Sequence, residues 1–79
     1  MAYISFSFQN SNDDQTFTVS DSIDTSRNPI FQGPINHNEW SPSIQCWAGG
    51  DGKGEVVVRG DKGPSLNQEI DKDGDTFSY

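Results

Sequence analysis

Short runs in which apolar and polar residues alternate recur along this chain of 79 residues. Residues 3–8 read YISFSF and residues 16–20 read TFTVS, so every second side chain is apolar in both segments. A period of two is typical of a strand with one buried face, because successive side chains of a strand point to opposite sides. Both segments are therefore predicted to be half-buried strands.

The polar segment 10–15 between these strands predicts a hairpin, since short Asn, Asp and Ser side chains hydrogen-bond local backbone in turns. A loop with an even number of residues pairs Phe8 with Phe17 and Phe6 with Val19. A loop with an odd number would place Phe8 opposite a threonine. The even loop is favoured because it keeps the apolar residues on one face.

Two later runs, 43–48 and 54–59, predict a second hairpin around a glycine-rich turn. A loop of odd length makes two inward pairs, Ile44 with Val58 and Cys46 with Val56. The opposite face of this hairpin then carries Gln45, Trp47, Glu55 and Val57. An odd number of loop residues therefore gives the hairpin one apolar face and one face with both polar and apolar residues.

Residues 30–35 predict an edge strand rather than a central one. Pro34 lies within this apolar run and Pro29 precedes it. A proline has no N–H to donate to a neighbouring strand, so prolines in sheets are confined to edges, first residues and bulges. We therefore expect one side of this strand to lack a partner.

Near the end of the sequence, the dipeptide Asp73-Gly74 predicts a third hairpin. It has the sequence of a tight two-residue turn, in which glycine supplies the positive φ that the turn requires. This register would bring Ile70 opposite Phe77 and Lys72 opposite Asp75. Both pairs are favourable, one apolar and one of opposite charge.

Composition agrees with an all-β fold. The chain has one leucine and two alanines against six isoleucines, four valines and five phenylalanines, so strong helix formers are scarce and strand formers are common. About seven short strands between frequent turns predict a small antiparallel β-sandwich of immunoglobulin-like architecture, or else a small barrel. No linker-like segment divides the sequence, so residues 1–79 are expected to form a single domain.

The formal charge of −7 at pH 7 reflects a shortage of basic residues. Few cations argue against direct binding to nucleic acid or to anionic membranes, and no segment is long and apolar enough for a transmembrane helix. Cys46 is the one cysteine, so no internal disulfide can form. That favours a reducing compartment such as the cytoplasm, although a secreted domain with a free thiol fits the same count.

No catalytic or cofactor signature stands out, so we expect the chain not to be an enzyme. His37, Glu39 and Trp40 cluster in the predicted loop between the third and fourth strands, where an imidazole beside a carboxylate could transfer protons. The chain has one histidine and no sequence motif that surrounds a nucleophilic serine in known enzymes, so that activity has little support. We interpret the three residues as candidate contacts to a partner.

Trp47 is the leading candidate for a binding anchor. In the favoured register it points away from the core, beside Val57 and on a face that also carries Glu55. An exposed tryptophan buries a large area on binding while few rotamers have to be fixed. The alternative, that another strand or loop covers Trp47, fits the sequence equally well.

Three aspartates, Asp71, Asp73 and Asp75, occupy alternate positions near the third predicted turn. Calcium needs several oxygen ligands that converge on one point, and alternate aspartates begin many calcium loops. An EF-hand would require glycine where Thr76 stands, so a calcium site here would be of another type. Calcium is the one cofactor that the sequence suggests.

These observations lead first to a non-catalytic interaction module, an inhibitor or adaptor that binds a basic surface of a partner protein. A second hypothesis is a module that binds calcium or carbohydrate through its aspartate-rich turns and tryptophans. A third is a structural component of an assembly, in which the N-terminal strand or the strand 30–35 pairs with another chain. The oligomeric state and the identity of the partner do not follow from the sequence.

Overall fold

The computed structural model describes residues 2–79, and its first two strands contain the alternating segments 3–8 and 16–20. The seven strands are β1 (Ala2–Gln9), β2 (Gln15–Asp21), β3 (Phe31–Ile35), β4 (Ile44–Ala48), β5 (Gly54–Gly60), β6 (Ser65–Ile70) and β7 (Asp75–Ser78). A short 3₁₀ turn at Thr25–Arg27 links β2 to β3, with Asp24 as its N-cap. Within residues 2–79, no helix is long and apolar enough to cross a membrane.

The strands form two sheets. One has three strands in the order β4-β1-β7, and the other has four in the order β3-β2-β5-β6. All pairs are antiparallel except β1 with β7, which is parallel. Over the described residues no strand pairing joins the two sheets, so they do not close into one barrel.

The inner faces of both sheets contribute to one hydrophobic core, which lies between them. Phe8 of β1 and Phe17 of β2 meet edge to face, with ring centroids 5.2 Å apart. Phe77 of β7 stacks on Phe8 at 5.5 Å and on Phe6 at 5.9 Å. The other buried apolar residues are Ile4, Val19, Ile35, Ile44, Cys46, Ala48, Val56, Val58 and Ile70.

The first predicted hairpin is wrong, although its buried face is right. β1 pairs with β4 and β7, whereas β2 pairs with β3 and β5, so Phe8 and Phe17 meet across the core and not in a ladder. The buried side chain of Asn10 directs the crossing between sheets. Its Nδ2 donates to the carbonyls of Asp13 (2.9 Å) and Ile35 (2.8 Å), which ties the end of β1 to the other sheet.

The second predicted hairpin fails in the same way, because β4 and β5 belong to different sheets. The expected pairs of Ile44 with Val58 and Cys46 with Val56 are therefore absent as ladder pairs, although all four side chains are buried. Gly54 allows the close approach where the chain changes sheet. A Cβ at that position would lie 2.6 Å from Sγ of Cys46, so a larger residue would force the sheets apart.

The third predicted turn is present, but it does not form a hairpin. Asp75 N–H donates to the carbonyl of Lys72 at 3.2 Å, and Gly74 has a φ of +83°. The N–H of Gly74 then donates to the carbonyl of Ser5 at 2.7 Å, which attaches the turn to β1. β7 continues in parallel along β1, and the predicted ladder pairs Ile70 with Phe77 and Lys72 with Asp75 do not form.

The prediction of an edge strand at 30–35 is confirmed, since β3 is the outermost strand of its sheet. The N-terminal strand, by contrast, is central, because β1 has β4 on one side and β7 on the other. It therefore has no free side on which another chain could add. The assembly hypothesis loses one of its two candidate strands.

Candidate functional site

Aromatic side chains lie on the outer face of the three-stranded sheet. Tyr3 of β1 and Trp47 of β4 are register partners, and their rings meet edge to face with centroids 5.2 Å apart. The guanidinium of Arg27 lies 4.3 Å from the centroid of the Tyr3 ring, and its Nη2 donates to the carbonyl of Gln45 at 3.1 Å. Trp47 is half-buried, so the structure leaves part of its ring accessible beside Tyr3.

Trp40 lies at the other end of the same face. An isolated antiparallel bridge pairs it with Gln9, and bridge partners direct their side chains to the same side of a sheet. Trp40 is 52% exposed. From Tyr3 to Gln9 the strand spans about 20 Å, at about 3.4 Å per residue. We call this surface the aromatic face; it comprises Tyr3, Ser5, Ser7, Gln9, Trp40, Gln45 and Trp47.

Carboxylates border the aromatic face. Tyr3 O–H donates to Asp24 at 3.4 Å, and Ser5 donates to Oδ1 of Asp73 through both its N–H (2.7 Å) and its hydroxyl (2.8 Å). Bonds from the hydroxyl and N–H of Ser26 lower the pKa of Asp24, and bonds from the N–H and hydroxyl of Ser5 lower the pKa of Asp73. Both groups therefore stay ionised to lower pH than an ordinary aspartate.

The buried carboxylate of Asp21 holds the segment 22–28 against β4. Its Oδ2 accepts the N–H of Trp47 at 2.8 Å, and its Oδ1 accepts those of Ile23 (2.9 Å) and Asp24 (3.1 Å). Sequence reasoning overlooked this residue, although a signal exists. Asp21 follows Phe17 and Val19 at alternate positions of β2, so it lies on the buried face of that strand. A buried carboxylate needs hydrogen-bonding partners.

The side chains of His37 and Glu39 each contact backbone groups, and no hydrogen bond is found between the two within residues 2–79. The Nδ1 of His37 lies 2.8 Å from the carbonyl of Asn12, which can only accept, so Nδ1 carries the hydrogen. The carboxylate of Glu39 accepts the N–H of Asn36 at 3.1 Å. His37 lines a shallow cavity of about 310 Å³ whose wall includes Lys62. The two residues lie in the loop that precedes Trp40, at the end of the aromatic face.

The structure separates Trp47 from Val57 and Glu55, so their predicted common face is wrong. Trp47 lies on the outer face of the three-stranded sheet, whereas Glu55 and Val57 lie on the outer face of the four-stranded sheet. The error follows directly from the mistaken β4–β5 hairpin. Strand parity correctly placed each residue outside the core, but it could not tell which sheet each strand would join.

Two of the three candidate calcium ligands, Asp73 and Asp75, already accept hydrogen bonds from the protein. Asp73 binds Ser5, and the carboxylate of Asp75 accepts the N–H groups of Asp71 and Thr76, each at 3.0 Å. Among residues 2–79, no group of three or more His, Cys, Asp or Glu residues converges as a metal site would require. The contacts of Asp73 with Ser5 attach the β6–β7 turn to β1, and those of Asp75 hold the turn itself together.

Cys46 is fully buried between the sheets, as its inward parity predicts. Burial, reinforced by the negative charge of Asp21, raises the pKa of its thiol to about 11. A thiolate is therefore scarce at neutral pH, and the side chain acts as a small apolar group of the core.

Comparisons with protein-family models, with curated proteins and with solved structures find no match to this chain. Its function must therefore be inferred from its own contacts and charges. Of the predicted contact residues, the structure brings Trp40 and Trp47 onto one face, with His37 and Glu39 in the adjoining loop. Val57 and Glu55 lie on the opposite side of the molecule.

Proposed function

We propose that this chain is a non-catalytic, acidic protein-interaction module, which binds a basic surface of a partner protein through the aromatic face. The observation that carries the proposal is a sheet face with aromatic rings at both ends, hydroxyl and amide side chains between them, Arg27 against Tyr3, and carboxylates at its border. Aromatic residues are enriched in protein interfaces, where polar residues form the rim, and exposed aromatic rings beside carboxylates fit that composition. The rim of Asp24, Asp73 and Glu39 complements a partner with basic residues around its contact surface.

We also propose that the two sheets form a β-sandwich of immunoglobulin-like architecture. Such a fold would support a role in binding. Seven strands in two sheets that share one core support this assignment. A rigid sheet presents Tyr3 and Trp47 in a fixed arrangement, because each ring packs on the other and Arg27 covers part of Tyr3. Little conformational entropy is then lost on binding. The same carboxylates repel phosphates, so direct nucleic-acid binding is not part of the proposal.

The test is affinity capture from a lysate of the source organism or its host, followed by binding measurements on the purified partner. We expect Trp47→Ser to weaken binding by at least about tenfold. Truncation of a tryptophan anchor commonly costs about 2 kcal/mol or more in binding free energy, which corresponds to more than a tenfold loss of affinity. Val57→Ser is the matched control, because Val57 is half-buried on the opposite outer face. The proposal would be contradicted if the partner bound the unmodified chain, Trp47→Ser and Val57→Ser with equal affinity. It would also be contradicted if the affinity did not change with salt concentration.

Carbohydrate binding is the second candidate, and one observation favours it. Between its aromatic ends, the face presents only hydroxyl and amide side chains, from Ser5, Ser7, Gln9 and Gln45. Sugars combine apolar ring faces with hydroxyl groups, so stacking on Trp40 and Trp47 with hydrogen bonds between them would suit an extended glycan. Binding on a glycan array that resists high salt and is lost in Trp47→Ser would favour this candidate. Repeating the array with a calcium chelator tests whether Asp71, Asp73 and Asp75 contribute.

A further inference from the structure

Four strands form the edges of the two sheets in residues 2–79, and three of them carry features that oppose further pairing. The edge of β4 is covered, because Arg27 donates to the carbonyl of Gln45 and Asp21 accepts the N–H of Trp47. β3 contains Pro34, which has no N–H. β7 has only four residues. Coverage, proline and short length are all devices that protect an edge from other strands.

β6 differs from the other three, since it has six residues and no proline. The hydrogen bonds of the sheet show which of its backbone groups face outward. Asp61 N–H donates to Thr16 (3.0 Å) and Ser22 N–H donates to Glu55 (2.9 Å), so odd-numbered residues of β5 bond toward β2. Even-numbered residues of β5 then bond to their partners in β6, which are Leu66, Gln68 and Ile70. The outward backbone groups of β6 are those of Ser65, Asn67 and Glu69.

We propose that a second copy of this chain adds to β6 in antiparallel orientation, with the two-fold axis at Asn67. The two four-stranded sheets then form one continuous sheet. This register pairs Ser65 with Glu69 of the second copy and Asn67 with Asn67, and each such pair exchanges two N–H···O bonds. Every outward backbone group of β6 is used; the carbonyl of Glu69, which also accepts Nε2 of Gln68 at 3.1 Å, has a second lone pair for the new bond. A shift by two residues in either direction would leave one outward residue of each copy without a partner.

The side chains on the outer face are complementary in this register. Arg59 lies opposite Ser65 in the β5–β6 ladder, and Glu69 of the second copy lies directly beyond Ser65. The Cα atoms of Arg59 and that Glu69 are then about 10 Å apart, two strand spacings, and the small Ser65 between them leaves room for the arginine to reach the carboxylate. Because of the two-fold symmetry, this ion pair occurs twice in the dimer.

Within one copy, Glu69 has an unfavourable neighbour. It lies directly opposite Glu55 in the β5–β6 ladder, and like charges in that position weaken strand pairing. Lys53 provides partial compensation, with its Nζ 3.9 Å from Oε1 of Glu69, but both side chains are largely exposed. Arg59 of a second copy adds a second cation at this point. The charge of −7 on each copy opposes association. The assay should therefore be done at about 0.15 M salt, where the Debye length is about 8 Å and this repulsion is screened.

Sedimentation equilibrium at increasing protein concentration, up to about 1 mM, tests the proposal. We expect a reversible transition from monomer to dimer. Asn67→Pro removes an outward N–H and leaves the bonds between β5 and β6 in place, so it should raise the dissociation constant of the dimer at least about tenfold. Asn67→Ala keeps the N–H and is the matched control. Urea unfolding of both variants verifies that each monomer is folded.

A charge exchange tests the register itself. Arg59→Glu and Glu69→Arg should each weaken self-association, because each places like charges together twice. Mixing the two variants restores opposite charges, so the mixture should form a heterodimer. A chain that stays monomeric to about 1 mM, a dimer that Asn67→Pro does not weaken, or a mixture that fails to associate would each overturn the proposal.

The test also distinguishes this edge from the aromatic face. Trp47→Ser should dimerise like the unmodified chain, because Trp47 lies in the other sheet. Loss of partner capture with an unchanged dimer would bear on the proposed function alone. A dimer that Trp47→Ser abolishes would place the contact on the aromatic face and would overturn pairing through β6, as would a monomer that binds a basic peptide at this edge.

Discussion

Replacing Asp21 with alanine should destabilise the fold more than any other single loss of an acidic side chain. Asp21 is 1% exposed, and its carboxylate accepts the N–H groups of Ile23, Asp24 and Trp47. These bonds fix the segment 22–28 against the edge of β4. Alanine would leave all three donors without their acceptor.

The magnitude follows from those contacts. Hydrogen bonds to a charged group contribute about 1.5–3 kcal/mol each, so three of them set an upper range of about 4.5–9 kcal/mol. Water can solvate Ile23 N–H and Asp24 N–H once the loop loosens, and the carboxylate no longer has to be desolvated. We therefore expect a loss of about 3 kcal/mol in the free energy of unfolding. A domain of this size has only about 4–12 kcal/mol in total.

Urea unfolding followed by tryptophan fluorescence measures this loss, because Trp47 borders the affected segment. Asp24→Ala is the matched control. Its carboxylate caps the 3₁₀ turn, and its removal should cost much less than that of Asp21 because water can replace its contacts. A loss below about 1 kcal/mol for Asp21→Ala, equal to that of the control, would refute the role assigned to the buried carboxylate.

Two further predictions concern the turns that join the sheets. The pKa of Asp73 is lowered in the folded state, so its ionised form stabilises the fold above the unfolded-state value and this contribution disappears as pH falls through the folded-state pKa. The stability difference between the unmodified chain and Asp73→Asn should therefore shrink as pH falls below about 3.8, and a difference that does not change with pH would exclude the ionised bond to Ser5. Gly54→Ala should destabilise by about 1–3 kcal/mol in urea unfolding, because its Cβ would meet Cys46. Gly50→Ala, with nothing within 4 Å, should cost much less; equal losses would contradict the close packing of the sheets.

The faces of the strands could be predicted from the sequence, but their partners could not. Phe8, Phe17, Cys46 and Val56 are all buried, as the alternation of apolar residues predicts. Each of the three predicted hairpins is wrong, because each loop carries the chain from one sheet to the other. A turn sequence such as Asp73-Gly74 specifies the local backbone, and the strand that follows it then pairs where the core is best filled.

The candidate site shows the same division. Trp40 and Trp47 could be named as candidate contact residues, with the exposure of Trp47 left open, but only the pairing of β1 with β4 and the bridge at Gln9 place them on one face. Val57 has the same outward parity as Trp47 and lies on the opposite side. Asp21 could have been recognised as an inward carboxylate, yet its acceptance of Trp47 N–H depends on two strands that belong to different sheets.

The sequence by itself determined that this protein is built of strands, which side of each strand is buried, and that the molecule is acidic. These properties depend on neighbours along the chain, through the two-residue period of a strand and the conformational preferences of Gly, Pro, Asn and Asp. The tertiary structure alone decided which strands share a sheet, which edges stay open and which aromatic residues meet. Those outcomes depend on contacts between distant residues, and several pairings are compatible with the same alternation until the whole core is packed.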